Sequence, residues 1–477
     1  MQPILRVLRA LALLGGVWGV LILVGWLGDA FPPRVPEEAP SEAEGEPTDG
    51  GVADAGAPSP APSPAPDAGV AEPDAGSAEP AGPDLPSREV ARFTACDPRV
   101  ARPSLSVTQV VGSPVSEVAL GCGPLVQVVA TPRESGGTLS PVRVLAFEAT
   151  PEESGVTAHA APPLAADVTG DSGPDLVLGF VHEDENGGAR GGALYLVRAS
   201  SIGAFDAPEH LASLATVDTG AAKLDGKAGA DVVALHQANV FARRPSELWV
   251  FGGGPAPARL AQLRTGVGAE ALAVADLDGD GHADLVALAG ESERVDVFFG
   301  NGDGRFPGSA TLSAAGGQDL VTGDLTGEGD AQVLLATADG LSLLRSEGDE
   351  TLQAEPLETN GELTRPRVVD VDGDGRRDLI GMRDHTIQWL RRTDADDLVF
   401  EERELLRFPD GTFQPVAAEV ADMDADGELD AVVLGRESDG GPWELLLLRG
   451  LERGAVLALP DAASPIPDAP LTLQMTP

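Results

Sequence analysis

Between Asp167 and Asp430 a nine-residue pattern returns six times, its first residues 46 to 56 positions apart, and this spacing constrains the fold more than any other feature of the chain. Three copies carry Asp at the first, third, fifth and ninth positions: Asp276, Asp278, Asp280 and Asp284 (DLDGDGHAD); Asp370, Asp372, Asp374 and Asp378 (DVDGDGRRD); Asp422, Asp424, Asp426 and Asp430 (DMDADGELD). A near copy, Asp167, Thr169, Asp171 and Asp175 (DVTGDSGPD), offers a hydroxyl, or a water held by it, at the third position. Two more are degraded: Lys223, Asp225, Lys227 and Asp231 (KLDGKAGAD), and Asp324, Thr326, Glu328 and Gln332 (DLTGEGDAQ). Four carboxylates in one register repel each other unless a cation lies among them, which sets these loops apart from ordinary Asp-rich turns. The seventh-position residue, His282, Arg376, Glu428 or Gly173, would add a backbone carbonyl, and Gly281 after the third Asp permits the tight turn. No Cys or His side chain falls on a ligand position, so zinc is disfavoured, and calcium accommodates such a flexible oxygen set better than magnesium. The pattern predicts about three strong calcium sites and one or two weaker ones.

A helix–loop–helix calcium site would place Glu at the twelfth position; here that position is Ala287, inside the apolar run Leu285 to Leu288. The loop therefore joins two strands. Around Asp276 the unit reads as four strands, 271–275, 285–289, 295–299 and 309–313, separated by turn residues such as Gly300 to Gly304. One step further back, Ser116 to Pro124, followed by Leu125 to Val129, reads as a vestigial copy without ligands, giving seven units between Leu105 and Pro460. Four strands repeated seven times at a period near 50 predict an all-β, seven-bladed β-propeller with four-stranded blades.

The runs VFFGNGDGRF from Val297 and FGGGPAP from Phe251, together with the D-x-D-G-D-G-x-x-D loops, resemble FG-GAP and VCBS-type repeats. Those repeats build integrin-α-like seven-bladed propellers. The resemblance implies calcium between the first and second strands of a blade, on the face away from the usual ligand-binding surface. It leaves calcium in doubt at the two degraded loops and the vestigial one. At the Lys223 loop the two lysines face Asp225 and Asp231, so charge cancels without a metal.

The chain of 477 residues begins with Arg6 and Arg9 before the uncharged run 10–28, close to the length that spans a bilayer. Residues 1–30 are thus expected to be a membrane anchor, or a signal peptide cleaved near Ala30, placing the remainder outside the cytoplasm, in the periplasm or at the cell surface. Residues 31–90 are Pro, Ala and acid-rich and read as a disordered linker; 91–465 form the propeller and 466–477 a C-terminal tail. A formal charge of −44 excludes nucleic acid as a partner and confines membrane contact to the N-terminal segment. The two cysteines, Cys96 and Cys122, fit no zinc spacing and suffice for one disulfide, which would pin the N-terminal segment to the vestigial unit.

No nucleophile elbow, Walker loop or HExxH occurs, and the six histidines are scattered among units. This favours a non-catalytic binding or adhesion module for a protein or glycan at the cell surface; the alternative is a polysaccharide hydrolase or lyase on a calcium-stabilised propeller. Trp249, Trp389 and Trp443 fall on third strands, where packing between blades is expected in preference to a sugar platform. Partner contacts are expected on the face opposite the metal loops, where 182–192 and 236–246 are the longest loops and the second carries Phe241, Arg243 and Arg244.

Overall fold

The computed structural model describes residues 88–108, 116–131, 139–146, 156–201, 204–327, 331–346, 351–393, 398–408, 413–437, 440–450, 457–458 and 471–473. The expected anchor (10–28), the linker up to residue 87 and all of the tail (466–477) except 471–473 lie outside them. Among the described residues seven blade sheets follow one another along the chain, antiparallel but for the short strand Leu457–Ala458, which pairs parallel with Phe400–Arg407 at the outer edge of the sixth. Their innermost strands are Ser104–Thr108, Val156–Ala160 continued by Leu164–Ala166, Thr216–Ala222, Ala269–Ala275, Gly317–Gly323, Thr364–Val369 and Phe413–Ala421. In the fourth blade the remaining strands are Asp284–Ala289, Arg294–Phe299 and Gly308–Ser313, within two residues of the sequence expectation.

The second strands explain why the blades read as continuous apolar runs. Each is covered on both faces by neighbouring blades, so Asp284–Ala289 and Glu117–Cys122 are buried at every position. Fourth strands, at the rim, alternate with solvent, as in Gly308–Ser313. Between each pair of adjacent blades lies one apolar core. One combines Val286, Leu288 and Val297 of the fourth blade with Leu320, Val333 and Leu335 of the fifth. A seventh joins Leu445 and Leu447 of the last blade to Leu105 and Leu120 of the first, so the ring is closed.

Closure comes from the chain's N-terminal strand. Phe413–Ala421, Asp430–Glu437 and Trp443–Leu448 supply three strands of the seventh blade, and Arg88–Cys96 supplies the fourth, paired from Val90 with Leu448 to Cys96 with Trp443. Ala91, Ala95 and Cys96 enter the closing core, and Arg92 bridges to Glu444 at 3.2 Å. The strand Leu471–Leu473 adds outside Arg88–Val90. A disulfide then joins Cys96 to Cys122, Cα to Cα 5.4 Å, tying the borrowed strand of the seventh blade to the second strand of the first.

This corrects the reading of Ser116 to Pro124 as a vestigial metal loop. Glu117–Cys122 is the second strand of blade 1, paired with Ser104–Thr108, and Leu125–Ala130 is its third. Cys122 therefore stands at the end of a second strand, on the face opposite the metal loops, and the disulfide does not occupy a metal position.

Candidate metal loops and the opposite face

Six loops link first to second strands in blades 2 to 7, all on one face, and share the backbone conformation of their fourth residue. The fourth position is left-handed throughout: Gly170 φ 78°, Gly226 φ 69°, Gly279 φ 75°, Gly327 φ 81°, Gly373 φ 65° and, without glycine's freedom, Ala425 φ 64°. The turn exposes its amides inward, and the first carboxylate gathers them. Asp276 accepts Gly279 N at 2.8 Å and Gly281 N at 2.7 Å, and Asp422 accepts Ala425 N at 2.7 Å and Gly427 N at 3.0 Å. One oxygen of each fifth-position carboxylate takes the seventh-position amide: Asp280 from His282, Asp374 from Arg376, Asp426 from Glu428 and Asp171 from Gly173, all at 2.8 to 2.9 Å.

The three complete loops bring carboxylates together. Asp276, Asp278 and Asp284 form one cluster; Asp370, Asp372 and Asp374 a second; Asp422, Asp424 and Asp430 a third; within each, one oxygen per residue lies within 4.8 Å of the others. Asp280, Asp378 and Asp426 stand outside these groups of three. Burial pushes the Asp284 carboxyl up to about 6, against the pull of its two amide donors, with Asp278 and Asp276 adding like charge. Burial likewise raises Asp430 to about 6. An oxygen-only donor set crowded in this way fits a hard divalent cation. The Asp167 loop fits differently: its third-position Thr169 Oγ1 is shut away from water without a partner, while Asp167 and Asp171 are bonded to loop amides.

The ninth position has a second role that the ligand pattern alone did not reveal. Both oxygens of Asp284 accept backbone amides, Leu277 N at 2.8 Å at the start of the loop and Gly300 N at 2.8 Å just past the third strand. Asp430 does the same with Met423 N and Gly450 N, Asp175 with Thr169 N and Ala199 N, and Asp378 with Val371 N, Arg392 N and the Trp389 indole. Of the degraded loops, the one at Lys223 keeps both ends of this tie and the one at Asp324 keeps the end at the loop's start. Asp231 accepts Leu224 N, Asp225 N and Gly253 N, and Gln332 Oε1 accepts Leu325 N and Thr326 N. In the Lys223 loop only one lysine cancels charge: Lys227 pairs with Asp225, while Lys223 is exposed and makes no ion pair among the described residues.

Across the inner strands a second set of charged groups faces the axis of the ring. Asp218 accepts Thr219 N at 2.9 Å and, from the next blade, Leu272 N at 2.8 Å; Arg367 pairs with Glu419 at 2.8 Å. Burial raises the Asp218 carboxyl to about 7, the two amides pulling the other way and Asp319 adding like charge. A carboxyl raised in the folded state binds a proton that the unfolded chain has already lost, so its stabilisation is complete below the ordinary value of 3.8 and is lost as pH climbs through 7. Asp218 is half-buried, so channel water reduces the effect, and we expect about 1–2 kcal/mol between pH 5 and 8. Denaturant titrations across that range, in chelator throughout, check this: Asp218→Asn should flatten the slope.

On the opposite face the structure shortens one expected loop and keeps the other. Most of 182–192 is strand, Asp175–Asp184 turning tightly into Ala189–Val197. Residues 237–246 remain a loop containing the 3-10 turn Val240–Ala242, capped by the Asn239 side chain. Phe241 at its tip is 64% exposed, and a Cβ on Gly188 of the neighbouring hairpin would meet its ring at 2.9 Å. Arg243, in the left-handed region at φ 50°, and Arg244 are exposed beside it. Of the third-strand tryptophans, Trp389 and Trp443 are buried in the blade cores, and Trp249 is half-buried under Arg259, whose guanidinium lies 4.5 Å from the ring. None presents a bare ring face. Among the described residues the one histidine–carboxylate ion pair is His159 with Glu183 at 3.4 Å, both buried, with Arg102 on the same carboxylate.

No curated protein matches the chain. The FG-GAP-like repeat family matches residues 276–335 and 370–433, each beginning at the first Asp of a complete loop. Among solved structures, an Agrocybe aegerita lectin described as recognising non-reducing terminal N-acetylglucosamine is similar at 16% identity and a TM-score of 0.46, over 74% of this chain and 94% of that one. A rhamnogalacturonan lyase from Bacillus licheniformis is similar at 15% identity and a TM-score of 0.39, over 73% of this chain and 72% of that one. The chain thus carries FG-GAP-like repeats over the four loops from Asp276 to Asp430, and its seven blades make it a seven-bladed β-propeller.

Proposed function

We propose that this propeller is an extracytoplasmic, calcium-stabilised binding module whose ligand, a protein or glycan at the cell surface, docks on the face opposite the metal loops. The observation that carries the reading is the tip of the 237–246 loop: an aromatic ring 64% exposed beside two exposed arginines, in a chain of net charge −44. An exposed aromatic next to guanidinium groups is the composition of a contact hot spot. The Cys96–Cys122 disulfide supports an oxidising compartment. The domain is read as non-catalytic, because the one histidine–carboxylate pair among the described residues is buried and shares its carboxylate with Arg102.

Calcium would be held by Asp276, Asp278 and Asp284, by Asp370, Asp372 and Asp374, and by Asp422, Asp424 and Asp430, with Asp280, Asp378, Asp426 and the seventh-position carbonyls of His282, Arg376 and Glu428 completing the shells. The Asp167, Thr169, Asp171, Asp175 and Gly173 set is the weaker fourth. A ligand that binds only the folded state raises its stability, by about 2.7 kcal/mol per site at a hundredfold excess over Kd. Calcium should therefore raise the melting temperature by several degrees over the chelated protein; an unchanged value overturns the metal reading. Capture from native cell surfaces, or a glycan array, should lose signal with the Phe241→Ala, Arg243→Ala, Arg244→Ala triple variant. Retained capture overturns the docking face.

A further inference from the structure

The position on the third strand that faces the ninth loop residue differs among the three complete loops. Strand register places Phe299 opposite Asp284, Arg391 opposite Asp378 and Arg449 opposite Asp430. Phe299 is buried in the core and offers no charge. Arg391 reaches into its own loop, Nε to Asp372 Oδ2 at 2.6 Å and Nη2 to Asp374 Oδ2 at 3.4 Å, and Arg376 also pairs with Asp374. Arg449 donates from Nη1 to Asp424 Oδ2 at 2.5 Å, in a pair whose side chains are 12% and 7% exposed. Placement alone does not force this contact. Arg198 and Arg345 occupy the same position in blades 2 and 5 and turn outward, Arg198 to Glu209 at 2.8 Å and Arg345 to Glu355 at 3.1 Å.

We propose that Arg391 and Arg449 are tethered counter-cations that fill the third-position carboxylate of two loops, so that the tight divalent site of this propeller is the Asp276 loop alone. Both third-position residues belong to the clusters, and their Oδ1 atoms already accept Asp374 N and Asp426 N, so the Oδ2 that each arginine takes is the oxygen left for an ion. A guanidinium at hydrogen-bond distance and a calcium ion at its usual 2.3–2.6 Å cannot share that oxygen without strong cation–cation repulsion. Calcium must displace the arginine, and the loops at 370 and 422 bind it more weakly. The Asp276 loop has no arginine to expel and no cation of its own among the described residues, so its carboxylates depend on the ion. The inference rests on the calcium reading above and assigns its sites unequal strength.

Calcium titration of the chelator-stripped full chain by calorimetry tests it. One tight site is expected, abolished by Asp276→Asn, with the 370 and 422 loops at least about tenfold weaker. Arg391→Met and Arg449→Met should each tighten one weak site by about tenfold or more. The same variants should melt lower than the parent in chelator, where the freed carboxylates lack a partner, and recover in calcium, which separates counter-cation loss from general damage. Three equivalent sites in the parent, or weak sites unmoved by both variants, overturn the inference while leaving the calcium reading intact. No calcium bound in any variant overturns both.

Discussion

Removing residues 1–97 should prevent the propeller from closing. The truncated chain would lose the strand Arg88–Cys96 and leave Trp443–Leu448 as an exposed edge, although Leu445, Leu446, Leu447 and Leu448 are all buried in the intact ring. A ladder running from Val90 to Cys96 contributes about 1 kcal/mol per backbone hydrogen bond, and Ala91, Ala95 and Cys96 leave the closing core with it. The expected loss exceeds about 5 kcal/mol, enough to exhaust the stability of many domains. An apolar edge of this length is also a template for pairing with other chains. Gel filtration should show aggregates, and far-ultraviolet circular dichroism should show loss of the cooperative melt. A milder lesion isolates the covalent part: Cys96→Ser with Cys122→Ser keeps the strand but frees it from blade 1, at a cost of about 2–4 kcal/mol. A truncated protein that stays monomeric and melts like the parent would show that the seventh blade does not need its borrowed strand.

What could be read in the sequence, and what could not, follows from how local each signal is. The blades were legible because a second strand buried on both faces must be apolar at nearly every position, so Leu285 to Ala289 stands out against the Asp-rich loop before it. The closing strand was not. Its partner Glu444 is 352 residues away from Arg92, and REVARFTAC follows directly on the Pro-rich segment without a turn signal. The misplaced loop in blade 1 has a similar cause. Without an Asp to mark it, Glu117–Cys122 ends in Gly121 and Cys122 and resembles a turn, although its register with Ser104–Thr108 makes it a strand. The inward course of Arg391 and Arg449 was illegible in principle, since Arg198 and Arg345 occupy the equivalent position and turn the other way. The clustered carboxylates were legible because their chemistry lies in side chains. The amides that the same carboxylates accept belong to the backbone, which carries no residue signature.

That hidden half of the ninth position leads to the second large effect. Asp231 lies in a loop whose first and fifth positions are lysines, yet it is 1% exposed and accepts three backbone amides, Leu224 N at 2.6 Å, Asp225 N at 2.9 Å and Gly253 N at 2.7 Å. If the ninth residue served only a metal, nothing would hold an acid here. Instead it ties the loop's first residues to the chain leaving the third strand, and Asp284 does so in the fourth blade with Leu277 N and Gly300 N. Asp231→Ala should strand those donors in a dry site at a cost of about 3–5 kcal/mol, with or without calcium. Asp284→Ala should cost a similar amount in chelator, and more in calcium, where the ion is lost as well. Lys223→Ala is the internal control: its side chain is exposed and makes no ion pair among the described residues, and we expect a change below about 1 kcal/mol. Denaturant melts of the three variants, each with calcium and with chelator, measure these differences. An Asp231→Ala protein as stable as the parent would reduce the ninth position to a ligand and no more. The expected loss would instead make the five loops with a ninth-position Asp hydrogen-bonded staples first, on which the proposed metal sites are built in the blades that kept their other carboxylates.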